Sequence, residues 1–277
     1  MSKRREIDRH LRSLGEIKEI MGAMKNVALT QTRKLSRLLA TQDRVVANIE
    51  AAADDFLTFN PQFSAAPEIR NDVYLLIGSE RGFCGDFNDA FSNALSSRMP
   101  ARADTALLIV GSKLSLKFAH DMRVTATLKG PNTLEEVPAV LRQLMQRLVA
   151  WQQTKKSSHS LRLNVFHHRP ESGEIHSAIL DPFLRRCALE RHYSYAPLLN
   201  LQPRQFLEQL TEHYLFAALH RILYRSLMAE NQLRMQHMDR AVHRIEQQSA
   251  LLQRRRNSLR QEEITEEIEV IMLNTDI

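Results

Sequence analysis

The two ends of this 277-residue chain lack the residues that stop helices. Glycine is absent from Gln202 to Ile277 and proline after Pro203, and from Ile7 to Phe59 there is again no proline. Proline and glycine cost a helix interior most, so both stretches are free to form unusually long helices. Cysteine is scarce as well. Cys84 and Cys187 stand without a Cys-x-x-Cys pair, which excludes a disulfide framework and a cysteine-built zinc site and points to a reducing compartment. No run approaches the ~20 apolar residues of a membrane span, and Met1 to Asp8 is too charged for the apolar core of a signal peptide. The expectation is a globular, cytosolic chain held elsewhere only by a partner.

What the ends contain instead is a seam. Tyr224, Met228, Asn231, Met235, Met238, Val242, Ile245, Ser249, Leu252, Arg256 and Leu259 fall at alternating steps of four and three, the coiled-coil period. Unbroken, that segment would run about 100 Å at ~1.5 Å per residue, so it needs a partner. The N-terminal stretch offers one, with Ile7, Leu14, Met21, Ala28, Leu35, Gln42, Ile49 and Phe56 on one edge. The second edge reads His10, Ile17, Met24, Gln31, Leu38, Val45, Ala52 and Phe59. All prolines and most glycines lie between the two segments, so the middle of the chain should be a compact domain inserted at one end of an antiparallel pair. Gly15 and Gly22 weaken the first helix by roughly 1 kcal/mol each relative to alanine.

The formal net charge of +6 favours acidic partners: nucleic acid, anionic lipid or an acidic protein surface. Lys3, Arg4 and Arg5 and then Arg254, Arg255 and Arg256 are basic clusters, but Glu262, Glu263, Glu266, Glu267 and Glu269 follow the second. Mixed signs read as a solvated surface, and few aromatics are present on these helices to stack on bases. A free-standing basic coiled-coil adaptor or nucleic-acid-binding rod is the alternative, and it would bind with steep salt dependence.

Between the helices the pattern changes. Val73 to Ser79, Ala106 to Gly111, Val124 to Leu128, Leu161 to His167 and Ile175 to Leu180 read as strands, the last two joined through Glu171-Ser172-Gly173 as a hairpin. Helices are expected over Asp89 to Arg98, Ser115 to His120 and Pro138 to Gln152, with Thr133 and Glu136 offering a capping box. This alternation predicts a fold of class α/β: a long antiparallel coiled coil of the terminal helices with an inserted three-layer, Rossmann-like domain on a mainly parallel sheet. The expected segments are a helix over 1–60, the α/β domain over 61–203 and a helix over 204–277.

Residue chemistry yields no active site. Gly78 to Gly85 sits where a phosphate loop would, between strand and helix, but Asp86 and Phe87 stand where a Walker loop needs lysine and a hydroxyl. His167 and His168 are adjacent on a strand and point to opposite faces, which prevents a shared metal. No catalytic residue, cofactor or metal is expected.

Three motifs in order carry a resemblance. They are Ile20-Met21-Gly22-Ala23-Met24-Lys25-Asn26-Val27-Ala28, then Arg81-Gly82-Phe83-Cys84-Gly85-Asp86-Phe87-Asn88. The third joins Arg234-Met235-Gln236-His237-Met238 to Asn257-Ser258-Leu259-Arg260-Gln261-Glu262-Glu263-Ile264-Thr265-Glu266-Glu267-Ile268. Together they resemble the gamma subunit of F-type ATP synthases over most of the chain, thinly between Asn93 and Pro182. The resemblance implies a mechanical role: a central-stalk rotor within a hexamer of alpha and beta subunits, beside epsilon on the membrane c-ring, coupling ATP synthesis or hydrolysis to ion flow. It implies no enzyme activity of the chain's own, and a peripheral place on the cytoplasmic face of the cell membrane. By position it assigns Met24, Lys25, Arg234, Arg260, Gln261, Thr265 and Glu267 to shaft contacts with alpha and beta, and Tyr193 and Tyr195 to the ring or epsilon. Met21, Asp86, Ala196 and the Ile271 to Ile277 ending depart from the family pattern and point to a divergent member, of the kind of variant F-type ATPase that some microbes carry.

Overall fold

The computed structural model describes residues 3–63, 70–98, 105–154, 160–180 and 195–275; Tyr193 and Cys187 lie outside them. The absence of breakers has the expected result. One helix, α1, runs Lys3–Phe59 for 57 residues, and another, α5, runs Pro203–Thr275 for 73. The chain divides into two compact units, one of 1–29 with 234–277, the other of 30–233. These divisions fall inside both long helices, whereas the expected segments ended at the helix termini.

In the first unit the two helices pair antiparallel. Asp8 meets Arg256, Lys18 meets Glu246 and Lys25 meets Asp239, so each advance along α1 is matched by an equal retreat along α5. The seam is small and apolar: Leu14 and Ala28 of α1 are buried, as are Met238, Ala241 and Ile245 of α5. An alanine Cβ at Gly15 or Gly22 would meet nothing within 4 Å, so neither glycine serves a close approach within the chain. Gly22→Ala should therefore raise the chain's stability by about 0.5–1 kcal/mol, seen as a higher denaturation midpoint; an unchanged or lower midpoint would show that the glycine has a use.

The second unit is built on a five-stranded sheet in the order β3-β2-β1-β4-β5. Strands β1 (Arg70–Ile77), β2 (Ala106–Val110), β3 (Val124–Leu128) and β4 (Ser160–His168) are parallel, and β5 (Ile175–Leu180) returns antiparallel along β4. The central strands are apolar on both faces because both are covered. On one face Tyr74, Leu76, Leu107, Ile109 and Phe166 pack with Phe91 and Leu95 of α2 (Ala90–Arg98) and Leu114 of α3 (Ser112–Lys117). On the other, Val73, Leu75, Ile77, Leu108 and Val165 pack with Leu141 and Leu144 of α4 (Val137–Thr154), Leu35 of α1 and Leu219 and Leu223 of α5. This is the three-layer arrangement expected.

Three local readings need correction. Leu38 and Val45 are 38% and 39% exposed, and Ala52 is exposed too, whereas Leu35, Val46, Ala53 and Leu57 are buried. A straight helix drifts ~20° per heptad from a 3.5 repeat, and here α1 covers a globular surface rather than one partner helix. The buried stripe therefore steps on by four. Second, α3 starts at Ser112 rather than Ser115, directly after Gly111 at φ 112°, because its first amide is taken by a residue distant in sequence, Glu80. Third, Thr133 makes no side-chain cap; Glu136 instead accepts from Asn132 N at 2.7 Å, one residue earlier.

Candidate functional site

The assigned shaft residues lie on the paired helices of the first unit. Lys25 is paired with Asp239, and that bond holds the Asp239 carboxyl below its ordinary range, as Lys18 does for Glu246. Met24 beside it is half-buried. Farther along α5, Arg234 is only 7% exposed and is held within the chain. Arg260, Gln261, Thr265 and Glu267 are exposed; the Thr265 hydroxyl donates to the Gln261 carbonyl at 2.9 Å. Glu263, the carboxylate that could have neutralised Arg260 along the helix, is bonded at 2.6 Å to Arg4 of α1 instead. Arg260 makes no ion pair among the described residues. Past that point Ile264, Ile268 and Ile271 are exposed at steps of four and three, beside a shallow depression lined by Glu263, Glu266, Glu267, Val270 and Ile271.

In the sheet unit the Gly78–Gly85 turn is internally tied. Asn88 accepts from Ser79 N at 3.0 Å and donates to the Ser79 hydroxyl at 2.7 Å. Phe83, at φ 64°, is turned outward and 56% exposed. The Glu80 carboxylate occupies the amides that line this end of the sheet, accepting from Ser112 N (2.8 Å), Ser112 Oγ (2.7 Å) and Gly130 N (2.7 Å). Burial works against its charge, but these bonds prevail and hold the carboxyl below its ordinary value. The first amide of α3 is thus engaged by the chain's own acid. No group of three or more His, Cys, Asp or Glu is placed to hold a metal ion among the described residues.

A model of the family described as ATP synthase matches residues 3–273. The chain belongs to the ATP synthase family. Among curated relatives, the ATP synthase gamma chain of Haemophilus ducreyi is 24% identical over 98% of both chains. Those of Clostridium beijerinckii and Heliobacterium modesticaldum are each 28% identical, but over 39% of this chain, and the matched segments span only 40% and 39% of those relatives' lengths. The fold is shared with a chain of the Euglena gracilis mitochondrial ATP synthase rotor, at TM-score 0.64 and 14% identity over 94% of this chain and 98% of that one. A Tetrahymena thermophila mitochondrial central stalk and c-ring structure gives 0.54 at 16% identity, over 80% of this chain and 99% of the other.

Within this ATP synthase family chain the assigned residues form no single cluster. Lys25 and Arg234 are engaged by the chain itself, Arg260, Gln261, Thr265 and Glu267 are exposed, and Tyr195 is 87% exposed. Reading the sequence missed the interhelical ion pairs and Glu80. The first had a signal, since Asp239 and Glu246 each follow a seam residue, Met238 and Ile245. Glu80 had none, because its partners lie 32 and 50 residues away.

Proposed function

We propose that this chain is the central-stalk rotor subunit of an F-type ATP synthase or ATPase. Its paired terminal helices turn within the alpha/beta hexamer, and its α/β domain sits with epsilon on the membrane c-ring, one copy per complex. ATP synthesis or hydrolysis is thereby coupled to ion transport, hydrogen ions in the ordinary case. The chain itself is non-catalytic in this reading, beta carrying the chemistry, and it stays peripheral at the cytoplasmic face of the cell membrane through its partners. The family match over residues 3–273 carries the reading. The antiparallel ion pairs between the two long helices accord with it.

At residue level, Met24, Lys25, Arg234, Arg260, Gln261, Thr265 and Glu267 are proposed contacts with alpha and beta, and Tyr193 and Tyr195 with the ring or epsilon. Lys25 can exchange its partner at small cost, because an exposed ion pair is worth only ~0.2–1 kcal/mol. Arg260 is the sharpest case. It is exposed and free of an ion pair among the described residues, so a carboxylate on a partner would be its first charge-assisted bond. Arg260→Ala should leave helicity unchanged yet cut ATP-driven ion pumping of the reconstituted complex by about tenfold, since such a bond is worth ~1.5–3 kcal/mol. Normal pumping would remove the residue assignment. Failure of the wild-type chain to assemble with alpha and beta would remove the function.

A further inference from the structure

At the end of the β4–β5 hairpin a buried histidine of β4 faces a half-buried one of β5 across the strands. His167 pairs with His176 in the antiparallel register, their ring centroids 5.6 Å apart and their planes near perpendicular. His167 is 2% exposed, and its Nδ1 lies 2.9 Å from the His168 carbonyl, so the neutral ring donates there. His176 Nδ1 is buried without a partner. The charges that act on this pair are guanidiniums from three elements: Arg98 of α2, Arg169 just past β4 and Arg225 of α5. Arg225 spends part of its charge on Asp43 of α1, at 2.9 Å, and Arg98 donates to the Ser177 hydroxyl at 3.2 Å. Among the described residues no carboxylate acts on either ring; Asp86 acts on His168, which faces the other side and lies 2.7 Å from the carbonyls of both Gly173 and Phe87.

A proton gained by His167 therefore enters a buried site, and one gained by either ring meets neighbours that are already positive. The strand it would push on lies at an edge of the sheet. β5 is an edge strand of six residues that pairs only with β4 and is mostly half-exposed. We propose that the His167–His176 pair is an acid-sensitive latch on β5: neutral rings hold the edge strand, and protonation releases it from β4.

The sign follows from linkage. Burial is the main cause that lowers His167 from the ordinary 6.5 to about 4, and His176 is lowered in the same direction. The released strand, with ordinary rings, binds more protons, so acid favours release, beginning below pH 6.5 and complete for His167 below about 4. His168 is lowered as well, burial outweighing the two carbonyl contacts that favour a charged ring, so its protonation adds to the acid sensitivity of this end.

Hydrogen exchange of the full chain at pH 7.5 and pH 5, corrected for intrinsic rates, tests the latch. Amide protection in β5 should fall by about thirty-fold at pH 5, the factor that His167 alone supplies, while β1–β2 amides change little. His167→Asn, which keeps the donor, combined with His176→Gln should remove the share of the fall that this pair supplies and leave that of His168. An equal response of β5 and β1–β2, or an undiminished fall after the double substitution, would overturn the proposal. Should the variant fail to fold, the wild-type chain decides: a fall in β5 protection that tracks the titration of the His167 ring resonance sustains the latch, and a fall that does not track it, or a ring that titrates near 6.5, overturns it.

Discussion

Alanine at position 111 is expected to cost the sheet unit more than about 3 kcal/mol. Gly111 joins β2 to α3 at φ 112°, a conformation that costs an L-residue ~1–3 kcal/mol. The added Cβ would also lie 2.7 Å from the Gly78 carbonyl oxygen and 2.8 Å from that of Ser79. Both are backbone atoms of the turn leaving β1, so no side chain can swing aside, and forcing them apart adds ~1–3 kcal/mol. It would also pull Ser112 from Glu80, whose carboxylate ties three segments together. Gly173→Ala is the control. That glycine has φ 69° but open space around it, so only the left-handed strain remains, ~1–2 kcal/mol. Urea denaturation should show the Gly111 variant with much the lower midpoint, and equal midpoints would refute the close approach.

Leu35→Ala should destabilise by ~2–5 kcal/mol, and Leu38→Ala by less than about 1 kcal/mol. Both positions belong to the heptad edges read from the sequence. Leu35 is 0% exposed, in the core formed by β1, β2, α4 and α5, whereas Leu38 is 38% exposed. Truncating the first leaves a cavity among rigid neighbours; truncating the second removes apolar surface from water. A regular two-helix seam at this level would make the two costs alike, so the ratio of the two effects, measured by chemical denaturation, discriminates between a coiled-coil seam and a globular one.

Much of this was legible in advance. Missing proline in both, and missing glycine in α5, determined where the two long helices run, because each breaker acts locally and its absence does too. Apolar runs bounded by turn residues placed all five strands, β3 and β5 to the residue, and three motifs in order carried the family. What depended on which surface faces which was not legible. Period alone could not tell Leu38 from Leu39, since one turn of drift separates a partner helix from a sheet. Nor could it foresee that Glu263 would bond Arg4 and leave Arg260 open, or that Glu80 would take the Ser112 and Gly130 amides. The facing of His167 and His176 is of the same kind: the sequence spaces them nine residues apart, and only the register of β4 with β5 makes them opposite. Charged and polar partners are chosen by geometry at a few ångströms, and chain positions tens or hundreds of residues apart reach that distance only once the fold has closed.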